Sequence, residues 1–187
     1  MKEKEERRYG FARYYLLTVL LSFLGWCFET GYLYLRWGEW CDCGFMTLPL
    51  CPIYGCTLTA IYLIMGVPHK PRGVLKRVQP TFLRYALYFA LAFSIPSIME
   101  YVVGLFFDKT FHIRLWSYKG MPYNVNGYFC VPISLVWAGL IFVFMRLLFL
   151  PLKGAVGKVP VALAWVLLIL TGLIFGADIL SNVIKRL

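Results

Sequence analysis

Acidic side chains are scarce in this chain, nine Asp and Glu against nineteen Lys and Arg, and histidine occurs only twice. So thin a supply of ligands argues against a metal centre. Neither His69 nor His112 stands at ligand spacing, and although Cys41-Asp42-Cys43 brings two thiols together there is no CxxC pair. No metal and no other cofactor is expected. The phosphate-cradling patterns GxxxxGK[ST] and GxGxxG are missing, so the chain carries no recognisable nucleotide machinery of its own. HExxH and any Ser-His or Cys-His nucleophile pattern are missing as well.

What fills the chain instead is apolar. Of its 187 residues 60% are hydrophobic and 15% charged, and the mean hydropathy is +0.70. Runs near the ~20 residues needed to cross a bilayer mark an integral membrane protein. The runs lack the period-2 alternation of a barrel strand, and backbone groups cannot find water in lipid, so the spans are helical. The expected fold is all-α: a single membrane domain, residues 1–187, with about five spans at roughly 14–35, 45–66, 82–107, 128–150 and 159–184.

A net charge of +10 could suggest nucleic acid, but the cations gather at span ends and in loops, so no nucleic-acid partner is expected. Thirteen Lys and Arg fall on the side of the N-terminus and six on the other. That bias predicts a cytoplasmic N-terminus and an extracytoplasmic C-terminus. The start, MKEKEERRYGFAR, reads as the flank of an uncleaved first helix, since the apolar run behind it is too long for a signal peptide and contains Glu29.

Glu29 and Glu100 are the first candidates for function, because each is a carboxylate within a span. An ionised acid in hydrocarbon costs several kcal/mol by order of magnitude, and such residues face the bundle interior, a partner or a cavity. Glu29 lies about fifteen residues, ~22 Å of helix, beyond the cytoplasmic end of its span, and Glu100 reaches similar depth. Trp37, Trp40, Asp42, Gly44, Trp116, Tyr118, Asn124, Asn126 and Asp178 fall on the same outer side. Polar chemistry is thus expected in the outer half, with Glu29, Glu100, Trp116, Tyr118, Asn124 and Asn126 as substrate-binding candidates.

Local patterns add detail. Pro96, Glu100 and Gly104 share one helix face, and Pro96 is expected to interrupt its helix beside the carboxylate. Pro49 and Pro52 predict an irregular start to the second span. Asn124-Val125-Asn126-Gly127 supplies turn and capping geometry, and its amides could also pair with a carboxylate. The outer cysteines read either as a disulfide or as buried thiols. Gly172 and Gly176 form GxxxG, expected to be a packing face. A weaker signal is a repeat: Glu29, a Trp-bearing loop and GFMTLPLCPIYG match Glu100, a Trp-bearing loop and GYFCVPISLVWAG, giving two hairpins plus one further helix.

At GFMTLPLCPIYG (44–55) and WSYKGMPYNVNGYFCVPISLVWAG (116–139) the chain resembles the bacterial family of small polytopic membrane proteins described as Putative ABC-transporter type IV. The likeness runs from about Phe23 to Leu150 and includes Gly25-Trp26, Glu29, Glu100, Trp116, Tyr118, Asn124, Gly127 and Pro132. The family pattern has Asp after the loop Trp and Arg after the Gly, where this chain has Ser117 and Tyr128, and Gly where it has Leu48. The resemblance implies a permease, the membrane component of a transporter in the bacterial plasma membrane, served by a separate ATPase subunit that would dock on residues 67–81. Two other readings remain: an intramembrane enzyme acting on a lipid or lipid-linked substrate, its carboxylates serving as acid and base, and a non-catalytic assembly subunit.

Overall fold

The structure is a computed structural model that describes residues 10–38 and 46–186. It is all-helical. Helix α1 is Gly10–Trp37 and α2 is Pro52–Met65; a short hairpin, β1 (Gly66–Val67) with β2 (Lys70–Pro71), and a 3-10 turn at Gly73–Arg77 lead into α3, Thr81–Phe111. A second hairpin, β3 (Asn124–Val125) with β4 (Phe129–Cys130), precedes α4 (Val131–Leu147), α5 (Phe149–Gly157) and α6 (Val161–Arg186).

Among the described residues, three helices are long and apolar enough to cross a membrane: Gly10–Leu35, Thr81–Phe111 and Val161–Lys185. A fourth span arises if α4 and α5, bent by 50°, count as one. Large apolar side chains lie exposed along these helices, for example Leu163, Ile169, Leu173 and Leu180 of α6, as expected where lipid is the solvent. Helix α2 is shorter than the span expected at 45–66, and the irregular start predicted from Pro49 and Pro52 is present. At 14 residues it is ~21 Å long, against a hydrocarbon core of ~30 Å. Residues 46–51 before it are not helical, because Pro49 and Pro52 deny the backbone its donors; the helix begins at Pro52, where a missing N–H costs nothing.

Two other boundaries move. The stretch 151–158, expected as a loop, is mostly helix α5. The turn at Leu148 follows from Pro151, whose ring clashes with the carbonyl four residues earlier and is tolerated only in the first turn of a new helix. Pro96, expected to interrupt its helix, does not: α3 continues through it. The Ser97 hydroxyl donates back to the Phe93 carbonyl at 2.8 Å, satisfying its own polar group within the helix.

The chain forms two compact units, 1–59 with 151–187, and 60–150, the division falling within α2. In the first unit α2 runs antiparallel to α1 along a stripe of small and polar residues. Thr18 and Thr59 share a hydrogen bond of 2.9 Å. Gly55 lies so close to Thr18 and Ser22 that a Cβ would fall 2.1 Å from the Thr18 carbonyl oxygen, and Gly25 is packed equally hard against Tyr54. Helix α6 runs parallel to α1: Phe11 stacks near Trp165, and the Thr171 hydroxyl meets that of Tyr15 at 3.3 Å. The face of α6 that packs is therefore the one bearing Thr171, Asp178 and Asn182. GxxxG is not a close-packed seam: a Cβ built at Gly172 meets only the Tyr15 hydroxyl, at 3.8 Å, and one at Gly176 meets nothing within 4 Å. In the second unit α3 and α4 are antiparallel, with Tyr85 and Tyr88 both edge-on to Phe142, and the fully buried Tyr88 donates to the Gly66 carbonyl at 3.1 Å.

Candidate functional site

Glu29 lies on the stripe of α1 that faces the start of α2, one turn beyond Gly25. Because Gly25 has no side chain, the Tyr54 ring can lie against α1, and its hydroxyl is a hydrogen-bond partner of the Glu29 carboxylate. The Cys51 thiol donates to Glu29 Oε2 at 3.6 Å. Cys51 is itself fixed, since its backbone N–H donates to the Ser22 carbonyl at 3.1 Å. Irregular backbone next to α2 is thus tied to α1 beside the acid. Among the described residues, the groups that hold Glu29 are neutral, a thiol and a phenol.

The same irregular stretch is latched from α6. Asp178 Oδ2 accepts the Thr47 backbone N–H at 2.9 Å, and Asn182 Nδ2 donates to the Thr47 hydroxyl at 3.0 Å. Trp40, Cys41, Asp42, Cys43 and Gly44 lie outside the described residues, as does the Trp37 side chain. The described cysteines, Cys27, Cys51, Cys56 and Cys130, are free thiols, the second and fourth buried, and no metal-binding group of His, Cys, Asp and Glu occurs among the described residues.

In the second unit Glu100 is half-buried on α3, next to Tyr101 and below the hairpin of residues 112–130. The loop candidates are brought together there, and most of their polar atoms are spent on the hairpin itself. Trp116 Nε1 donates to the Tyr128 carbonyl at 2.7 Å, and the Tyr118 backbone N–H donates to that of Gly127 at 2.9 Å. Asn124 uses both ends of its amide, donating to the Met121 carbonyl at 2.7 Å and accepting the Gly127 N–H at 3.0 Å. Asn126 takes the left-handed conformation, φ 52°, which Asn tolerates better than most residues, and its amide donates to the Tyr101 hydroxyl at 3.3 Å.

Sequence reasoning missed a charged centre here. The Tyr128 hydroxyl donates to Asp108 Oδ2 at 2.6 Å, and Arg114 stands 3.7 Å from that oxygen with its guanidinium 5.3 Å above the Tyr128 ring. The hydrogen bond to Asp108, chiefly, pushes the Tyr128 phenol above its ordinary pKa. Gly104, one turn before Asp108, leaves the space that Tyr128 fills. The available signal was an acid and a small residue at four-residue spacing, Gly104 and Asp108, the same spacing as Gly25 and Glu29. Beside this centre an apolar groove of about 290 Å³ is lined by Ser97, Ile98, Tyr101, Val125 and Phe129.

The family described as Putative ABC-transporter type IV matches residues 16–183, nearly the whole chain. The chain belongs to that family. No curated protein and no solved structure matches it. Membership agrees with the apolar helices in making this an ABC-transporter-related membrane protein. Asp108, near the end of α3, and Arg114, just beyond it, supply an acid and a cation with Tyr128 between them.

Proposed function

We propose that this chain is the permease-like membrane component of a bacterial plasma-membrane transporter, with outer-half polar groups around Glu29 in the first unit and around Glu100 in the second, and with a separate ATPase docking on residues 67–81. The observation that carries the reading is the cradle of Glu29. A carboxylate within a span, held among the described residues by a thiol and a phenol, keeps its capacity to take up a proton or a cationic group. Tyr101, Trp116, Tyr118, Asn124 and Asn126 complete the proposed polar region in the second unit.

The topology we propose has five crossings. Helices α1 and α6 run parallel, so an odd number of crossings must separate them. Helix α3 and the bent pair α4–α5 supply two, and the third falls to α2 with the irregular residues before it. Two hairpins follow, α1–α2 and α3–α4, each antiparallel and each with a return helix opening at Pro-Ile, with α6 as the addition. A reporter fused at the C-terminus should then be active outside the cytoplasm and silent inside it; the reverse would remove the fifth crossing or the orientation.

The transporter reading is tested by affinity purification of the chain from its own membranes in mild detergent. A nucleotide-binding subunit should co-purify, and the complex should hydrolyse ATP. A chain recovered without any ATPase, even after cross-linking in the intact membrane, would rule the reading out. The apolar groove lined by Tyr101 and Phe129 favours one further reading, an intramembrane enzyme acting on a lipid or lipid-linked substrate that enters sideways. In that case purified protein alone would convert lipid substrates with no ATPase present.

A further inference from the structure

Between Ala60 and Met99 the chain holds five Lys and Arg and one His, and no acid. The acids of this unit, Glu100 and Asp108, stand sixteen and twenty-four residues beyond Arg84 on α3, about 24 and 36 Å of helix away. The end of the unit near Arg84 thus has no carboxylate of its own to balance its charge.

Two of the cations converge on one ring. The Arg84 guanidinium lies 5.9 Å from the Tyr85 ring centroid, and Arg146 donates to the Tyr85 hydroxyl at 3.4 Å. Arg84 reaches the Thr81 hydroxyl at 3.4 Å, while its Nε is shielded from solvent without a hydrogen-bond acceptor. A buried donor left unmet costs free energy until an acceptor arrives. His69 stands in the same field: burial first, then Lys70 and Arg146, lowers its pKa. Arg84 is in the first turn of α3 and Arg146 in the last turn of α4, so both mark the same end of an antiparallel pair of spans. That end meets the head groups of one leaflet, where arginine favours phosphate through its planar fork. The large side chains beside them, Phe82, Leu83, Leu147 and Leu148, are apolar and exposed.

We propose that Arg84, Tyr85 and Arg146 form a binding site for the phosphate of an anionic phospholipid, whose acyl chains lie against the exposed apolar residues flanking the two arginines. Cations and an unmet donor alone would suit any phosphate. The apolar border selects a lipid over a free ion, and the position at the ends of two spans puts the site where such lipids are concentrated.

The full-length chain in an uncharged detergent is titrated with phosphatidylglycerol and with phosphatidylcholine, binding being read by native mass spectrometry and by melting temperature. Inorganic phosphate forms a separate arm. Phosphatidylglycerol should bind at least five-fold more tightly than phosphatidylcholine. Arg84→Gln and Arg146→Gln should each remove most of that preference, and Tyr85→Phe, which keeps the ring but releases Arg146, should remove part of it. Should either arginine variant fail to fold, the unmodified chain still gives a readout: its preference for the anionic lipid should fall at least three-fold between about 0.05 and 0.5 M salt as screening shortens to a few ångströms. Equal binding of the two lipids, a salt-independent preference, or equal protection by inorganic phosphate would overturn the proposal. So would arginine variants that keep the lipid preference but lose a co-purifying protein, which would make the patch a protein dock.

Discussion

Gly55→Ala should unfold the first hairpin well before any other single-methyl change in the molecule. A Cβ at position 55 would lie 2.1 Å from the Thr18 carbonyl oxygen and 2.2 Å from the Ser22 hydroxyl. The hydroxyl can turn away; the carbonyl belongs to the backbone of α1 and can move only if the two helices separate. Overpacking of this kind costs roughly 3 kcal/mol at the upper end of its usual range. Alanine recovers about 1 kcal/mol of helix propensity over glycine. The clash therefore wins by about 2 kcal/mol, plus whatever part of the Thr18–Thr59 hydrogen bond is lost as the helices part. The contrasting change is Gly176→Ala, where nothing lies within 4 Å and only the propensity gain remains. Thermal or denaturant unfolding in detergent should show a large loss for the first and none, or a slight gain, for the second. The opposite ranking would restore GxxxG as a packing face and remove the Thr18–Ser22–Gly55 contact as the core of the hairpin.

That pair of glycines shows what the sequence allowed and what it hid. A GxxxG pattern is a statement about spacing along one helix, whereas packing depends on which face the neighbours choose. On α6 the neighbours chose Thr171, Asp178 and Asn182, because Tyr15 and Thr47 offered hydrogen-bond partners there. The apolar helices were legible from composition, and Pro52 and Pro132 marked the starts of both return helices. The length of α2 was not legible: hydropathy continues through Met46–Cys51 while the prolines forbid regular helix, and a window average cannot see the difference. Nor could it see that Pro151, read as the start of a loop, opens a new helix.

The candidate site divides in the same way. Glu29 and Glu100 stood out because a carboxylate in an apolar run is a local anomaly. Cys51, Tyr54, Asp108 and Arg114 did not, since each is ordinary where it stands and gains meaning only from a residue twenty or so positions away, or from the loop geometry that turns Arg114 back over Tyr128. Asn124 and Asn126 illustrate the converse. Their type and spacing matched either a ligand-binding pair or a turn; both ends of the Asn124 amide are spent within the hairpin, while the Asn126 amide reaches the Tyr101 hydroxyl on α3.

Replacing Glu29 or Glu100 by glutamine should separate a working acid from a structural one. In Glu29→Gln the new amide oxygen would still accept hydrogen bonds from the Cys51 thiol and the Tyr54 hydroxyl, losing only the charge-assisted part of each. If the acid serves binding or proton transfer, stability should stay within about 0.5 kcal/mol of the original, and relief of a buried charge could even raise it. Substrate-stimulated ATP turnover of the purified complex, or transport into vesicles, should nevertheless fall at least ten-fold, a loss of about 1.4 kcal/mol or more in transition-state stabilisation. We expect this pattern at both positions and the larger loss at Glu100, which is one residue from Tyr101, a residue that lines the groove. An acid that merely locks helices would behave in the reverse way: the glutamine variant would melt much earlier yet retain full activity per folded molecule. That outcome at both positions would make the chain a non-catalytic assembly subunit, because an intramembrane carboxylate kept only for packing has no part in moving a substrate.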